Sequence, residues 1–232
     1  MLTINKINQF YGESHTLWDL ELDVPKGQCT CVMGRNGVGK TTLLKCVMGE
    51  ETVKSGSVIY RGDVELTRKA LEDRARLGIG YVPQGRQIFP LLTVEENLRT
   101  GLAARADGGK QIPERIYQLF PVLREMGQRR GGDLSGGQQQ QLAIGRALVI
   151  EPQLLILDEP GEGIQPNIVA QIGEVIRRLI EEDGLTVLLV EQKLPFARKY
   201  ADRFVIMDRG RRVAEGGIGE LSDELIKKHL TV

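Results

Sequence analysis

A glycine-rich stretch at residues 34–41, GRNGVGKT, has the residue types and the spacing of a phosphate-binding loop. It fits the pattern G-x-x-x-x-G-K-[ST], in which glycine backbone amides surround phosphate oxygens and the lysine bridges the terminal phosphates. Lys40 takes that position, and the hydroxyl of Thr41 is suited to bind Mg²⁺. The start of the helical pattern that follows adds the positive end of a helix dipole. The alternative interpretation is a glycine-rich turn before an ordinary helix.

Two carboxylates end an apolar run at residues 154–160, LLILDEP. An aspartate at the end of a buried strand beside a phosphate-binding loop can bind the Mg²⁺ of a nucleotide, and we assign that role to Asp158. Glu159 would then face the attacking water as its polariser or general base. The alternative is that both carboxylates simply end the strand in solvent.

A second apolar run at residues 187–193, VLLVEQK, ends in a carboxylate and an amide, which suggests that both strands reach one site. The amide of Gln192 can donate a hydrogen bond to a phosphate oxygen. It cannot become cationic or transfer a proton at neutral pH, as a histidine can. We therefore expect Gln192 to sense or position a phosphate.

The stretch at residues 133–148, DLSGGQQQQLAIGRAL, predicts a second phosphate-binding helix start. Ser135 and Gln138 have the spacing of a capping box, and Gly136 and Gly137 give close access to the backbone. One nucleotide in the phosphate-binding loop cannot easily use both helix starts. The simplest arrangement is a head-to-tail pair of chains, each of which clamps the nucleotide of the other.

The elements around these stretches predict an α/β fold with a parallel sheet covered on both faces, because continuous apolar strands alternate with helices. Alternating short runs in the first 30 residues predict antiparallel strands. Residues 86–140 are polar and helical, with Thr93 and Glu96 at capping-box spacing, and predict a helical lobe inserted into the core. After this lobe we expect strands at LLIL and TVLLV, helices over about 166–182 and 195–200, a hairpin turning at Arg209 and Gly210, and an amphipathic helix over 221–232.

Composition restricts the class of protein. The 232 residues carry 31 basic and 31 acidic side chains, a balance that argues against a dedicated nucleic-acid binder. No apolar run approaches the roughly 20 residues that cross a bilayer, and the first ten residues are too polar for a signal peptide, so we expect a soluble, cytosolic chain. Cys29, Cys31 and Cys46 have neither metal-ligand nor redox spacing and predict buried free thiols. His15 and His229, at opposite ends of the chain, do not suggest a zinc site.

The chain resembles the ATP-binding subunits of ABC transporters over essentially its whole length. LSGGQ is the signature of that family, and it stands here between the phosphate-binding loop and LLILDEP, as the family requires. The resemblance implies one ATP-binding domain over residues 1–232, with a P-loop NTPase α/β core, a small antiparallel β subdomain and the helical subdomain at about 86–140. It also implies that the chain binds ATP and Mg²⁺ and hydrolyses ATP.

The resemblance extends to individual residues. Tyr11 would stack on adenine, and Gln84 would contact Mg²⁺ and the attacking water; the alternatives are a strand aromatic and a loop amide. The signature residues would complete the ATP site of a partner subunit. The resulting sets are Glu159, Gln84 and Gln192 as catalytic residues; Thr41, Gln84 and Asp158 as metal ligands; Tyr11, Gly34, Arg35, Asn36, Gly37, Val38, Gly39, Lys40, Thr41 and Thr42 as ATP-binding residues; and Leu134, Ser135, Gly136, Gly137 and Gln138 as the signature.

Five motifs narrow the resemblance to importers of branched-chain amino acids and of urea and short amides: RNGVGKTTLLK, VPQGRQIFP, LSGGQQQQLAIGRAL, GEGIQP and LLVEQK. MGRNGVGKTTLLK and EGIQP favour the urea type. The resemblance implies membrane permease subunits and, indirectly, an extracytoplasmic solute-binding protein as partners, no nucleic acid, and a peripheral position on the cytoplasmic face of the plasma (inner) membrane. Phe89, Leu91 and Leu92 would form the groove that receives a permease helix, or else belong to the core of the helical lobe.

The sequence departs from the family pattern at three positions. Gln192 stands where most members have a histidine, Gln165 replaces an aspartate, and Gly161 replaces a small hydroxyl residue. Removing an aligned donor where charge develops typically costs ~10²-fold or more in rate, although a substitute donor recovers part of it. We hypothesise that the chain binds ATP well, hydrolyses it slowly alone, and pairs with a different ATPase subunit that has the histidine. The alternatives are that Gln192 is fully adequate and that the chain forms a homodimer.

Other classes of protein share part of this pattern. A small-molecule kinase shares the phosphate-binding loop but has no use for LSGGQ at a helix start. A non-transport ABC ATPase of DNA repair or translation usually has a long coiled-coil insertion or tandem ATPase units, for which this chain has no room. A regulator that binds ATP without hydrolysing it is disfavoured by Glu159, while Gln192 keeps it open. The main prediction is the ATP-hydrolysing subunit of an importer.

Overall fold

The polypeptide forms two β-sheets with helices packed around them, and the computed structural model describes residues 1–230. The strands are β1 (Leu2–Tyr11), β2 (Ser14–Val24), β3 (Cys29–Met33), β4 (Ser55–Tyr60), β5 (Val64–Glu65), β6 (Ile79–Val82), β7 (Leu154–Asp158), β8 (Thr186–Val190), β9 (Arg203–Asp208) and β10 (Arg211–Gly217). The helices are α1 (Lys40–Met48), α2 (Leu71–Arg76), α3 (Val94–Gly101), α4 (Glu114–Leu119), α5 (Pro121–Glu125), α6 (Gly136–Leu148), α7 (Pro166–Asp183), α8 (Leu194–Tyr200) and α9 (Asp223–His229). Short 3-10 turns lie at Leu102–Ala104, Gly131–Asp133 and Ile218–Glu220.

The larger sheet has the strand order β10-β9-β3-β8-β7-β6. The neighbours from β9 to β6 run parallel, and β10 joins β9 antiparallel through the predicted hairpin. Strands β3, β7 and β8 are buried along their whole length, and their alternate residues enter two cores, Leu155 on one face and Ile156 on the other. This confirms the predicted parallel sheet covered on both faces. The carboxyl ends of these strands meet at one edge of the sheet, so the stretches that follow them are brought together.

The smaller sheet is antiparallel, with the strand order β2-β1-β4-β5, which confirms the antiparallel strands predicted for the first 30 residues. Ile4 and Leu20 share a core with Leu43 of α1 and with the underside of the larger sheet. The backbone amide of Trp18 donates to the Gly210 carbonyl at 2.9 Å, linking β2 to the β9–β10 hairpin. This packing fixes the end of β1 close to α1.

Helices α3 to α6 lie between β6 and β7 in the chain. The capping boxes predicted at Thr93 and Ser135 are both present, at the starts of α3 and α6. The first of these helices begins at residue 94 and the last ends at residue 148, so the helical segment lies later than the predicted 86–140. The reason is that α6 packs against both the helical segment and the larger sheet. Its Leu142 and Ile144 share one core with Leu123 of α5 and Leu155 of β7.

The rest of the chain follows the predicted order. Helices α7 and α8 and strand β8 lie where the sequence indicated, and the predicted C-terminal helix is α9, with residues 231–232 of the prediction outside the described residues. The cysteines are buried and free, and burial raises the pKa of the Cys29 thiol to about 12, as expected for an inert side chain. Within residues 1–230, no helix combines the length and the apolar character needed to cross a membrane.

Candidate active site

The glycine-rich loop connects β3 to α1 at the carboxyl edge of the larger sheet. Gly34 has a φ of 154°, and a Cβ atom there would lie 2.5 Å from the carbonyl oxygen of Met207, so the chain has room only for glycine. Helix α1 begins at Lys40, directly after Gly39. The loop and the first turn of the helix therefore present backbone amides to the same space, as a phosphate site requires.

Lys40 is 5% exposed, and its Nζ donates to the carbonyl oxygens of Gly34 at 2.8 Å and Arg35 at 2.9 Å. Burial lowers the pKa of Lys40, while the nearby carboxylates of Glu159 and Asp158 oppose that shift. The ammonium group is thus held by its own loop. It bonds there to neutral carbonyls, and a phosphate would be a stronger, charge-assisted partner.

Asp158 ends β7 and is 2% exposed, and its carboxylate lies beside the Thr41 hydroxyl. Burial raises the pKa of Asp158 to about 6; the nearby Thr41 hydroxyl lowers it, Glu159 raises it further and Lys40 lowers it. A carboxylate this deeply buried is costly, and a cation bound beside it relieves that cost.

The oxygen ligands near the loop fit Mg²⁺. Mg²⁺ in nucleotide sites is usually held by one or two protein groups, the substrate phosphates and water. In residues 1–230 no cluster of three or more His, Cys, Asp or Glu side chains could hold a metal ion by itself. Asp158 and Thr41, whose hydroxyl lies beside it, therefore supply the donors expected for Mg²⁺ that arrives with a nucleotide.

Glu159 and Gln192 are joined directly. The Gln192 Nε2 donates to Glu159 Oε1 at 2.5 Å and to Asn36 Oδ1 at 2.7 Å. Glu159 has a φ of 49°, in the left-handed region that non-glycine residues rarely adopt, and its backbone amide donates to the Val190 carbonyl. The side-chain amide of Gln192, at the end of β8, therefore contacts both the loop after β3 and the residue that follows β7.

These side chains line a cavity of about 830 Å³. Tyr11 stands at its edge, with its hydroxyl 3.5 Å from that of Thr42, and Gln84 also lines it. The cavity brings together residues that the sequence assigned to one site: Tyr11, Asn36, Gly37, Gly39, Lys40, Thr41, Thr42, Gln84, Glu159 and Gln192. Gly34, Arg35, Val38 and Asp158 are not among the residues that line the cavity; the first three lie in the loop and Asp158 at the end of β7.

The signature residues Leu134 to Gln138 lie apart from this cavity. Ser135 caps α6: its hydroxyl accepts from the Gln138 amide at 3.4 Å, and its own amide donates to Gln138 Oε1 at 3.0 Å. Gly137 packs against Ile168 so closely that a Cβ atom would lie 2.9 Å from that side chain. Ser135 is exposed, so the helix start is accessible to another molecule.

Glu162 and Glu191 also line the cavity, although the sequence motifs predicted no role for them. Glu162 Oε2 accepts from the Gln84 Nε2 at 3.0 Å, and the Glu162 carbonyl accepts from Arg86 at 3.3 Å. A third carboxylate in DEPGEG was the available signal for Glu162, and the carboxylate of VEQK was the signal for Glu191.

Comparison with known proteins identifies the family. The sequence profile described as ABC transporter matches residues 17–162, from β2 to the segment after β7. The chain belongs to the ABC transporter family. BraG, a high-affinity branched-chain amino acid transport ATP-binding protein of Pseudomonas aeruginosa, is 43% identical over 92% of this chain and 91% of its own length. LivF of Archaeoglobus fulgidus, a probable branched-chain amino acid transport ATP-binding protein, is 40% identical over 95% of this chain and 94% of its own.

Solved structures of ABC cassettes have the same fold. The dimeric post-hydrolysis state of MJ0796 bound to ADP and Pi has a TM-score of 0.85 at 26% identity, covering 94% of this chain and 99% of that one. MJ1267, a cassette of an ABC transporter, has a TM-score of 0.84 at 29% identity, covering 98% and 97%. This ABC importer subunit binds ATP with Mg²⁺ and hydrolyses ATP, and subunits of its kind dimerise and work with membrane permease components.

Proposed function

We propose that this subunit drives the import of branched-chain amino acids, with urea and short amides as the second candidate solutes. The observation that carries the first candidate is the 43% identity to BraG over nearly the whole chain. The second candidate is supported by MGRNGVGKTTLLK and EGIQP, and it remains a prediction from sequence. The solute itself would contact the permease and a solute-binding protein, not this subunit.

The proposed roles within the ATP site follow from position and chemistry. Adenine would stack on Tyr11. The Lys40 ammonium group would exchange its hydrogen bonds to loop carbonyls for bonds to the phosphates. Thr41, Asp158 and Gln84 would hold Mg²⁺, which neutralises phosphate charge when it is bound. Glu159 would orient the attacking water and accept its proton.

Gln192 is proposed to position rather than to titrate. Its two Nε2 protons are donated to Glu159 and Asn36, so one of these hydrogen bonds would be exchanged for a bond to the terminal phosphate. An amide stays neutral in the transition state, whereas an imidazole can become cationic as charge develops. This difference supports a chain that binds ATP well and hydrolyses it slowly alone.

The closed state is proposed to be a head-to-tail dimer. Ser135 and the start of α6 lie outside the cavity of their own chain and would complete the cavity of another. We infer that the partner is a different ATPase subunit with a histidine at the position of Gln192, and a homodimer is the alternative. Under the same proposal the chain forms one ATP-binding domain, and the helices between β6 and β7 form a subdomain within it.

Contact with the permease is proposed at the segment after Gln84. Phe89 and Leu91 are 48% and 79% exposed, so they do not belong to the core of the helical lobe. Their exposure supports the groove predicted for a permease helix and a peripheral position on the cytoplasmic face of the membrane. An extracytoplasmic solute-binding protein would reach this subunit only through the permease.

Proteoliposomes test this function. The chain would be reconstituted with its co-purified permease, and ATP turnover would be measured with the solute-binding protein loaded with leucine, with urea, or left empty. Leucine should stimulate turnover and accumulate inside, and a Glu159→Gln chain should support neither. Stimulation by urea alone would move the assignment to the second candidate, and no response to either solute would contradict both.

A further inference from the structure

Glu191 is a buried carboxylate at the end of β8, directly before Gln192. It is 3% exposed, and its Oε1 accepts two backbone hydrogen bonds, from the amide of Gln192 at 2.8 Å and from the amide of Lys193 at 2.9 Å. Its backbone amide donates to the Val32 carbonyl, which anchors it to β3. One carboxylate oxygen thus fixes the backbone of the residue whose side chain reaches Glu159.

The other oxygen of Glu191 has no hydrogen-bond partner among residues 1–230. It faces Gly161, two residues beyond Glu159: a Cβ atom at Gly161 would lie 3.3 Å from Oε2. Lys193 ties the same two segments together, because its Nζ donates to the Gly161 carbonyl at 2.6 Å. Lys193 therefore ties the loop of Gln192 to the loop of Glu159, and the unpartnered oxygen of Glu191 faces that same loop.

A carboxylate is a costly group to keep in this place. Burial raises the pKa of Glu191, and the backbone hydrogen bonds and Lys193 only partly oppose that shift. A buried carboxylate with an unpartnered oxygen costs folding free energy. Its hydrogen bonds are accepted from the backbone amides of Gln192 and Lys193, and these bonds fix the position of the Gln192 Cα atom.

We propose that Glu191 is a positioning residue for ATP hydrolysis. It fixes the backbone of Gln192 so that the side-chain amide of Gln192 reaches Glu159. The proposal rests on the role proposed above for Gln192. Glu191 itself makes no contact with the reacting atoms in this scheme. Gly161 contributes by leaving the space that Glu191 Oε2 faces.

A double-mutant cycle separates this role from a general contribution to the fold. Glu191→Ala, Gln192→Ala and the double variant would be compared for Mg-ATP turnover and for equilibrium ATP binding. Glu191→Ala should lower kcat about tenfold, because a misplaced group loses rate before it loses affinity, and ATP Kd should change less than about twofold. The double variant should be no slower than Gln192→Ala alone.

A conservative variant keeps the test decisive if Glu191→Ala folds poorly. Glu191→Gln keeps an oxygen that can accept both backbone amides, so it should restore kcat to within about twofold of the unmodified chain. Multiplying losses in the double variant, a parallel loss of ATP affinity, or a Glu191→Gln chain as slow as Glu191→Ala would each overturn the proposal.

Two outcomes distinguish a failure of the Gln192 role from a failure of the Glu191 role. If Gln192→Ala leaves turnover unchanged, the role proposed for Gln192 is wrong and the positioning role of Glu191 is wrong with it. If Gln192→Ala slows turnover but Glu191→Ala does not, only the positioning role is overturned.

Discussion

The side-chain amide of Gln192 donates a 2.5 Å hydrogen bond to a carboxylate oxygen of Glu159. The bond joins the end of β8 to the end of β7, and the second bond of the same amide, to Asn36, reaches the P-loop. Glu159 therefore has a protein hydrogen-bond donor beside it at the cavity. Since an amide does not titrate near neutral pH, this contact should persist over the range in which a histidine changes its charge.

Replacing Glu159 by glutamine should separate binding from hydrolysis. The change keeps the size of the side chain and removes its ability to accept a proton, so kcat should fall by ~10²–10⁴. ATP affinity should remain within about threefold, because Lys40 and the P-loop are untouched. Turnover and nucleotide binding would be measured on the same preparation. Glu65→Gln, on exposed β5, is the matched control and should behave as the unmodified chain, whereas full activity in Glu159→Gln would exclude the role of base.

Removing the Glu162 side chain should strengthen the binding of Mg-ATP. Glu162 holds the Gln84 amide at 3.0 Å and places a negative charge beside the cavity that receives the phosphates. Glu162→Ala frees Gln84 and removes the charge, so Kd should fall about threefold, as expected for one exposed hydrogen bond. Glu162→Gln keeps an acceptor for Gln84 and isolates the effect of charge. A higher Kd for Mg-ATP in both variants would contradict this prediction and would mean that Glu162 helps to hold the nucleotide.

Asp158→Asn should stabilise the Mg²⁺-free chain while it weakens Mg-ATP binding. Burial raises the folded-state pKa of Asp158 to about 6, above the unfolded value, so ionisation of this group opposes folding at higher pH. In EDTA at pH 8 the variant should gain about 1–2 kcal/mol in the free energy of unfolding. At pH 5 the gain should shrink, because the carboxyl is then largely protonated in the folded state. Denaturant unfolding at both pH values measures this, and a loss of stability at pH 8 would contradict it.

Much of the fold could be predicted from hydrophobic pattern and turn chemistry. The apolar runs in LLIL and TVLLV indicated a sheet buried on both faces, and the capping residues Thr93 and Ser135 marked two helix starts. The end of the helical segment was not predictable in the same way. Helix α6 continues to Leu148 because Leu142 and Ile144 pack on two parts of the molecule at once, which a local pattern does not encode.

The candidate site was predictable where a motif ties residue type to spacing. GRNGVGKT and LLILDEP placed Lys40 and Glu159 at one cavity because both follow strands of one parallel sheet. The partners Glu162 and Glu191 were missed. The hydrogen bond between Glu162 and Gln84 joins segments 78 residues apart, and no spacing rule connects them. Glu191 contacts the backbone of its own neighbour Gln192, but the sequence pattern does not show that a buried carboxylate turns back onto the chain at the end of β8.

The most direct test of the account is steady-state Mg-ATP turnover by the purified chain alone, beside Gln192→His, with Glu159→Gln as the inactive reference. The account predicts that the unmodified chain binds ATP but turns it over slowly, and that Gln192→His raises kcat at least about fivefold, because an imidazole adds a donor that can become cationic. Ordinary turnover by the unmodified chain, with no gain from Gln192→His, would show that the amide is fully adequate and would contradict the slow-site account.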